Sequence, residues 1–271
     1  MYVTLATCWY ALNSKFPIDT YLRWMKNMLG GGGGEATNYN LVLFTDEAGE
    51  IVLREHFAPY YFQNPRLKMI IKPVDQWFNY QYKSAWQKNH AKNTLLNSIS
   101  EWKLNMLWAE KIHFVNDARI NQYFTSTEFY GWCDIGYFRE GAREPSFCNN
   151  QKIFALNKNK IYYACIDPPQ FHALTEFIAQ RNDQGLPMQP IPTNQVSIGG
   201  GFFLAHHSKI DGWRTIFDTK LQLYFQHNYL VKDDQMIILD CVVAEPHRFE
   251  LISEPLVPII NPWFQFRRFL S

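Results

Sequence analysis

Residues 39–46 read Tyr39-Asn-Leu-Val-Leu-Phe-Thr-Asp46, a short apolar run that polar residues end, as is typical of a buried parallel strand. A second strand-like run precedes it at residues 2–10, where β-branched and aromatic side chains prevail. Between the two runs, residues 18–29 carry apolar side chains at helical spacing, and the glycines at 30–34 end that helix in a flexible connection. Strand, helix and strand form a βαβ unit, which predicts an α/β fold with a mostly parallel central sheet flanked by helices.

Further elements follow along the chain. Residues 101–122 have the apolar periodicity of a long helix, and residues 128–138 are almost wholly apolar, as a central strand should be. The other predicted elements are a hairpin at 152–165, a helix from Phe171 to Ile178, a loop at 183–195, a glycine-rich strand at 196–206, a helix from a Ser208–Asp211 capping box to Leu223, and a last helix from near Asp234.

One segment, residues 64–100, is polar, aromatic and rich in lysine, without one clear period. Such a composition is typical of surface helices and loops. Its aromatic faces could instead stack on sugars or bases, which would make the segment a lid or the flank of an acceptor site. Both interpretations stay open.

Length and composition bound the architecture and the partners. The 271 residues are 47% hydrophobic, enough for one sizeable core, so we predict a single domain over residues 1–271. The 26 basic and 25 acidic side chains nearly cancel, and no overall field would therefore concentrate nucleic acid or an anionic membrane surface. No apolar run approaches the ~18 residues of a membrane span, and no signal peptide is recognisable. The five cysteines include no CxxC pair, which indicates reduced, mostly buried thiols. We expect a cytoplasmic protein without a transmembrane segment, with an oxidising location as the alternative.

Two charged residues stand in otherwise apolar surroundings. Asp134 is the one charge inside the predicted strand 128–138, which Glu128 begins, and a buried carboxylate is costly unless it is paired, hydrogen-bonded or bound to a metal. Lys111 lies on the apolar stripe of the preceding helix. A salt bridge of Asp134 with Lys111 or Arg139 is one explanation, and a strand-end carboxylate that caps a loop is another. The functional explanation is a divalent cation that joins Asp134 to a diphosphate. Because consecutive elements usually pack together, an anion site is predicted where the two residues converge.

Two later motifs also suggest a site. Gly199-Gly200-Gly201 would let a backbone approach a ligand closely, although a β-bulge or a tight turn also explains it, and no P-loop GK[ST] follows. Asp233 and Asp234 precede an apolar helix, where each can serve as an N-cap, a catalytic base or an acceptor-binding carboxylate. The chain has no HExxH pair and no GxSxG elbow, so a zinc protease or a serine hydrolase has no support.

Four blocks of sequence, in this order, resemble the central motifs of the HtrL/YibB-like family. They run from Leu107 to Val115, from Phe129 to Arg139, from Gly200 to His206 and from Lys232 to Gln235. The matching region extends from about Tyr39 to the last residue. Similar proteins occur in bacterial surface-glycan loci and in large algal DNA viruses, so the expected location becomes the host cytoplasm if the chain is viral.

The family is similar to the GT-A glycosyltransferases. Those enzymes have a Rossmann-like mixed sheet, bind a nucleotide diphosphate sugar at the carboxyl ends of the strands and usually hold Mn²⁺ with a DxD motif. The resemblance therefore implies a GT-A domain with a nucleotide-binding half at about 1–140 and an acceptor-side half at about 141–271. At the DxD position this sequence reads Cys133-Asp134-Ile135-Gly136, with one acid.

The resemblance also implies roles for residues on the donor side. Thr7 and Tyr10, at the end of the first strand, and Asp46, at the end of the second, would hold the base and the ribose. Lys111 and Arg139 would face the diphosphate.

The metal and the acceptor have their own implied residues. Asp134 would bind Mn²⁺ (or Mg²⁺), with His207 and His247 as candidates for a second protein ligand. Gly200, Gly201 and Asp233 would border the acceptor, and Asp234 would be the catalytic carboxylate.

The leading hypothesis is therefore a metal-dependent hexosyl- or pentosyltransferase. It would move a sugar from a nucleotide diphosphate sugar, with a UDP-sugar as the expected donor, to a hydroxyl of a glycan acceptor. A non-catalytic carbohydrate-binding protein on the same fold is the alternative. A nucleic-acid-binding module that uses residues 77–92 is a third hypothesis, against which the neutral net charge argues.

Overall fold

The computed structural model describes residues 3–29, 38–139, 147–255, 257 and 260–271, and these contain a seven-stranded sheet. The strands are β1 (Val3–Cys8), β2 (Asn40–Thr45), β3 (Leu67–Ile71), β4 (Phe129–Cys133), β5 (Ile161–Cys165), β6 (Ile198–His206) and β7 (Phe249–Ile252). Their order is β3-β2-β1-β4-β6-β5-β7. Neighbouring strands are parallel except where β6 lies between β4 and β5 and pairs antiparallel with both. This mixed, mostly parallel sheet confirms the predicted α/β fold class.

Helices cover both faces of the sheet. They are α1 (Ile18–Leu29), α2 (Glu47–His56), α3 (Pro59–Phe62), α4 (Lys83–Lys92), α5 (Trp102–Asn121), α6 (Asn150–Phe154), α7 (Pro168–Ile178), α8 (His207–Gln226), α9 (Asp234–Ala244) and α10 (Gln265–Phe269). One core contains buried residues of α5, α8 and α9, and the other contains those of α1, α2 and α10. Because β1, β2 and β4 have helices on both faces, all of their residues are buried and most are apolar, as a parallel sheet requires. Within the described part of the chain, no helix combines the length and the apolarity needed to cross a bilayer.

Helix α5 brings charge into the interior. The sequence predicts one apolar stripe, but α5 is buried on nearly all sides, between the sheet and the helices α4, α8 and α9. Its polar side chains are satisfied locally. Glu110 accepts hydrogen bonds from the backbone of Phe78 and Asn79 at 2.7 and 2.9 Å, and His113 pairs with Asp218 at 2.8 Å. Lys111 is carried on this same enclosed helix.

Three local predictions are wrong. The segment predicted as a hairpin at 152–165 contains α6 and β5 instead, and β5 pairs with β6 and β7, which are distant in sequence. The segment 64–100, interpreted as surface helices and loops, contains the helix α4 but also a strand, β3, which pairs with β2, and its Trp77 and Trp86 are buried. Helix α8 begins one residue before Ser208, and the ring of His206 at the cap position accepts the Ser208 N–H at 3.4 Å, so no Ser208–Asp211 capping box forms.

Several other predictions agree with the structure. Helix α1 spans the residues expected from periodicity, and α9 begins at Asp234. Residues 183–195 form neither a helix nor a strand, as expected of a loop. All five cysteines are buried. The glycines at 30–34, which the sequence predicts to be a flexible connection, lie outside the described residues.

Candidate functional site

A cavity of about 450 Å³ lies at the carboxyl edge of β1 and β4. Residues that follow β1, the turn after β4, the middle of β6 and the first turn of α9 line it. Parallel α/β sheets bind their ligands at this edge. Eight of the residues predicted from the sequence line the cavity: Tyr10, Lys111, Asp134, Arg139, Gly200, Gly201, Asp233 and Asp234.

Lys111 is at the centre of the site. Its Nζ lies 3.1 Å from Asp134 Oδ1 and 3.0 Å from Asp234 Oδ2, and it donates a hydrogen bond of 2.8 Å to the carbonyl of Gly200. An ammonium group has three N–H donors, and three acceptors surround this one. The salt bridge between Lys111 and Asp134, which the sequence leaves open, is therefore present and is shared with Asp234.

An irregularity in β6 creates the third acceptor. Tyr163 on β5 pairs with Phe203, but the next residue, Ala164, pairs with Gly199, so residues 200–202 have no partner on β5. A bulge of this kind leaves backbone groups unpaired. Lys111 takes up the Gly200 carbonyl that the bulge leaves without a partner on β5.

The glycines of the bulge make room for the two acids. A Cβ on Gly200 would lie 2.8 Å from Asp234 Oδ2, and a Cβ on Gly201 would lie 3.3 Å from Asp134 Oδ2. The first distance is shorter than real Cβ contacts allow, and the second is tight. The motif therefore serves the close approach of two carboxylates, in addition to the bulge that the sequence offered as an explanation.

Asp134 lies at the end of its strand. Strand β4 ends at Cys133, five residues before the end of the predicted strand. Asp134 therefore follows the strand, and the prediction of a buried carboxylate within it is wrong. The Asp134 side chain is 36% exposed towards the cavity. Its Oδ1 accepts a hydrogen bond of 2.6 Å from Trp132 Nε1 and also faces Lys111. Two side chains of the protein, Trp132 and Lys111, thus already occupy Oδ1 of Asp134.

Asp234 is the first residue of α9 and is deeply buried, with 6% of its side chain exposed. Burial is the largest effect on its carboxyl pKa and raises it; Lys111 lowers the pKa, whereas Asp233 and Asp134 raise it. The result is a pKa of about 6 against an ordinary value of 3.8. The carboxyl group therefore changes its charge close to neutral pH, as a general acid or base requires.

The capping explanation fails for both acids of the pair. The cap position of α9 is Asp233, whose side chain makes no capping hydrogen bond, and Asp234 lies inside the helix. Asp233 Oδ2 instead forms a 3.0 Å ion pair with Lys232. Its other oxygen is buried and has no hydrogen-bond partner among the described residues, which leaves an acceptor beside the cavity that a ligand hydroxyl could satisfy.

Two cations and several aromatic rings form the rim. The guanidinium of Arg139 lies over the Trp24 ring at 4.4 Å and donates to the Gly136 carbonyl at 3.0 Å. Lys15 lies over the Trp108 ring at 4.6 Å. Within the described residues neither cation forms an ion pair with a carboxylate, so both charges are available to an anion.

Two residues predicted for the base and the ribose do not reach the cavity. Thr7 is fully buried and is not among the residues that line it. Asp46 caps α2, where its Oδ1 accepts the Gly49 N–H at 2.8 Å. Tyr10 does line the cavity, but its hydroxyl is engaged, because it donates to the Lys72 carbonyl at 2.8 Å and accepts from Trp77 Nε1 at 3.1 Å.

Sequence reasoning did not find Lys15, Trp108, Trp263 and Phe264 in the cavity lining. Trp108 belongs to the apolar periodicity of residues 101–122, which predicts core packing for its side chain. Trp263 and Phe264 begin a run of aromatic residues near the last residue of the sequence, which also includes Phe266 and Phe269, but nothing in the sequence connects this run with β4. No residue of the segment 64–100 lines the cavity, which argues against the lid interpretation.

The described residues do not fit a metal centre held by protein ligands. None of their His, Cys, Asp and Glu side chains form a group of three that could bind a metal. His207 hydrogen-bonds through its backbone to Glu128, which precedes β4, whereas Asp134 follows β4; the two lie at opposite edges of the sheet. His247 lies at that opposite edge too, since it precedes β7, which is parallel to β5. The two candidates for a second metal ligand are therefore wrong.

Comparison with solved structures gives distant matches. Mouse xyloside xylosyltransferase 1 in its apo form is 13% identical, with a TM-score of 0.44 and coverage of 93% of this chain and 84% of that one. The galactosyltransferase LgtC with donor and acceptor sugar analogues is 11% identical, with a TM-score of 0.45 and coverage of 88% and 69%. Core-mannan synthase A from Aspergillus fumigatus, in its Mn/GDP form, is 9% identical, with a TM-score of 0.46 and coverage of 100% and 84%.

Comparison of sequences is more specific. No curated protein matches the chain. The family described as "Bacterial protein of unknown function (HtrL_YibB)" matches residues 8–271, which include β4, the glycine bulge and the first turn of α9. The match thus covers both acids that contact Lys111, and the chain belongs to the HtrL_YibB family.

Proposed function

We propose that the chain is a glycosyltransferase that moves a sugar from a nucleotide diphosphate sugar to a hydroxyl group of a glycan. The observation that carries the proposal is Asp234, a buried carboxylate with a raised pKa that faces a cavity at the carboxyl edge of the sheet. Buried acids with perturbed pKa values in a cleft are candidates for catalysis. The resemblance of the sequence to GT-A enzymes supports the choice of reaction.

In the proposed reaction Asp234 is the general base. Its carboxylate accepts the proton of the acceptor hydroxyl while that oxygen forms a bond to the anomeric carbon of the donor sugar. The bond from the anomeric carbon to the diphosphate oxygen breaks, and the nucleoside diphosphate leaves with the electron pair. The unpartnered oxygen of Asp233 is available to a second hydroxyl of the acceptor.

The leaving diphosphate needs positive charge, because negative charge develops on it in the transition state. Arg139 and Lys15 are the rim cations without an ion-pair partner among the described residues, and we assign this role to them. Tyr10 and the neighbouring Trp9 line the cavity after β1 and offer aromatic surface for the base. On this proposal residues 1–140 contribute most of the donor side, and Asp233 and Asp234 contribute the acceptor side.

Metal dependence and the identity of the nucleotide stay predictions. A UDP-sugar and Mn²⁺ follow from the resemblance, but the side chains around Asp134 do not form a metal centre among the described residues. When bound, a divalent cation would neutralise charge on the diphosphate. The protein cations at the cavity already supply positive charge to the leaving diphosphate.

The alternative is a carbohydrate-binding protein without catalysis. The single acid at the DxD position favours it, because the GT-A enzymes that the family resembles usually hold Mn²⁺ with a DxD motif, which has two acids. The two functions differ in whether a donor is consumed.

A turnover screen tests the proposal. The purified chain is incubated with a panel of nucleotide sugars, with and without Mn²⁺, and the release of nucleoside diphosphate is measured for the wild type and for Asp234→Asn. We expect release with at least one donor, which glycan acceptors stimulate and Asp234→Asn suppresses. Binding of sugars without release from any donor would instead establish the carbohydrate-binding alternative.

A further inference from the structure

We propose that Lys111 is a positioning residue, which holds and keeps ionised the carboxylate of Asp234, and not a ligand of the donor's diphosphate. The inference rests on the proposed glycosyltransferase function, in which Asp234 is the base. It replaces the role for Lys111 that the resemblance implies.

The first argument is what surrounds the ammonium group. Three oxygens lie 2.8 to 3.1 Å from Lys111 Nζ: the Gly200 carbonyl accepts a hydrogen bond, and one carboxylate oxygen each of Asp134 and Asp234 is in ion-pair contact. Only 10% of the side chain is exposed. A phosphate oxygen would compete with these three oxygens for Lys111, and two of them, the Gly200 carbonyl and the Asp234 carboxylate, are buried, so that leaving either without Lys111 would be costly.

The second argument is that contacts beyond Lys111 hold the cluster in place. Trp132 donates to Asp134 Oδ1, and its ring also lies 5.8 Å from Lys111 Nζ. Asp134 is thus fixed from two sides and in turn fixes Lys111. The chain of contacts from Trp132 through Asp134 and Lys111 ends on Asp234, the group that must be placed accurately for proton transfer.

The third argument is electrostatic. The charged and titratable groups that act on Asp234 are Asp233 on its own helix, Asp134 after β4, Lys111 on α5, Lys15 in the loop after β1, and Tyr163 on β5. Burial keeps the pKa of Tyr163 well above its ordinary value, so that phenol is neutral. Lys15 is exposed at the rim, whereas Lys111 Nζ lies 3.0 Å from Asp234 Oδ2. Lys111 is therefore the main cation that opposes burial and the two neighbouring acids.

Loss of the Lys111 charge should consequently raise the pKa of Asp234 above about 6 and leave less of it ionised at neutral pH. A diphosphate ligand would behave differently. Its removal would weaken donor binding and leave the ionisation of the base as it was.

The experiment compares the pH dependence of kcat/KM and the affinity for UDP in the wild type and in Lys111→Met, which keeps the apolar stem. We expect the acidic limb of the pH profile to move up by at least one pH unit, and the Kd for UDP from calorimetry to change less than about threefold. Arg139→Met is the matched comparison: its Kd for UDP should rise about tenfold or more, with the acidic limb unmoved.

Lys111→Gln repeats the measurement with a side chain that can still donate to the Gly200 carbonyl, in case Lys111→Met does not fold. An unmoved limb together with a tenfold higher Kd for UDP in a folded Lys111 variant would overturn the inference and return Lys111 to the diphosphate. Asp234→Asn separates this outcome from a failure of the proposed function: if that variant transfers sugar at the wild-type rate, Asp234 is not the base, whatever Lys111 does.

Discussion

Replacement of Gly200 by alanine should impair catalysis much more than it impairs folding. The added Cβ would lie 2.8 Å from Asp234 Oδ2, 3.1 Å from Asp234 Oδ1 and 3.1 Å from Gln235 Cγ. Ordinary contact begins at about 3.4 Å, so the carboxylate must move by roughly half an ångström or more. Gln235 follows Asp234 on α9 and restricts that movement on the same side.

A displacement of this size matters for a general base. Functional groups have to be held within about 0.5 Å of the productive geometry, and a misplacement of ~1 Å can cost about 100-fold in rate. We therefore expect Gly200→Ala to lower kcat for sugar transfer by about 10- to 100-fold. Overpacking costs typically ~1 to 3 kcal/mol in stability, so the variant should remain folded, with a melting temperature a few degrees lower.

The matched control is Gly199→Ala on the same strand. A Cβ there would meet Ile166 Cδ1 at 2.9 Å, the far end of a side chain that can rotate, and Gly199 does not line the cavity. The assay is initial-rate transfer at saturating donor, together with thermal melting of both variants. If Gly200→Ala and Gly199→Ala have the same kcat, then the glycine bulge does not serve the placement of Asp234.

Three further predictions concern the charges of the site. Asp234→Asn should lower the transfer rate at least ~100-fold, while its melting temperature and its affinity for UDP stay normal. In the wild type, kcat/KM should rise with pH through about 6 as Asp234 loses its proton. A flat profile of kcat/KM from pH 5 to 8 would contradict the assignment of Asp234 as the base. Asp134→Asn should abolish any gain in UDP affinity that Mn²⁺ gives, which calorimetry with Mn²⁺ and with EDTA measures; a gain that persists in the variant would remove Asp134 from the metal hypothesis. Arg139→Met should weaken UDP binding by ~1.5 to 3 kcal/mol, and an unchanged Kd would return Arg139 to a purely aromatic contact with Trp24.

The sequence was sufficient for α1 and β2, where the pattern within the segment itself determines the element. Helix α1 has its apolar residues at regular spacing and occupies the predicted residues 18–29. Strand β2 lies within the predicted run because all six of its residues are buried and the middle four are apolar. Strand β3 was missed because its burial is mixed and its pairing with β2 is what makes it a strand. Edge strands of this kind carry little pattern of their own.

The site shows the same division between local and distant signals. Lys111 and Asp134 belong to consecutive elements, so their contact could be inferred from two charges in apolar surroundings. Asp234 could be named as a candidate but could not be connected with Lys111. That connection depends on β6, which inserts between β4 and β5 and carries the bulge that α9 covers. No periodicity in the sequence encodes such a crossing.

The net charge of the cluster around Lys111 explains why the two cations at the rim, Lys15 and Arg139, are needed to bind a diphosphate. Lys111 contributes one positive charge and faces two carboxylates, which leaves the contact cluster with one net negative charge when Asp234 is ionised. A diphosphate brought beside this cluster would be repelled unless other cations balance it. Lys15 and Arg139 are at the cavity, are exposed, and are not paired with a described carboxylate. The protein thus separates two tasks between its cations: the buried lysine keeps the base charged and in place, and the exposed pair is available to the leaving group.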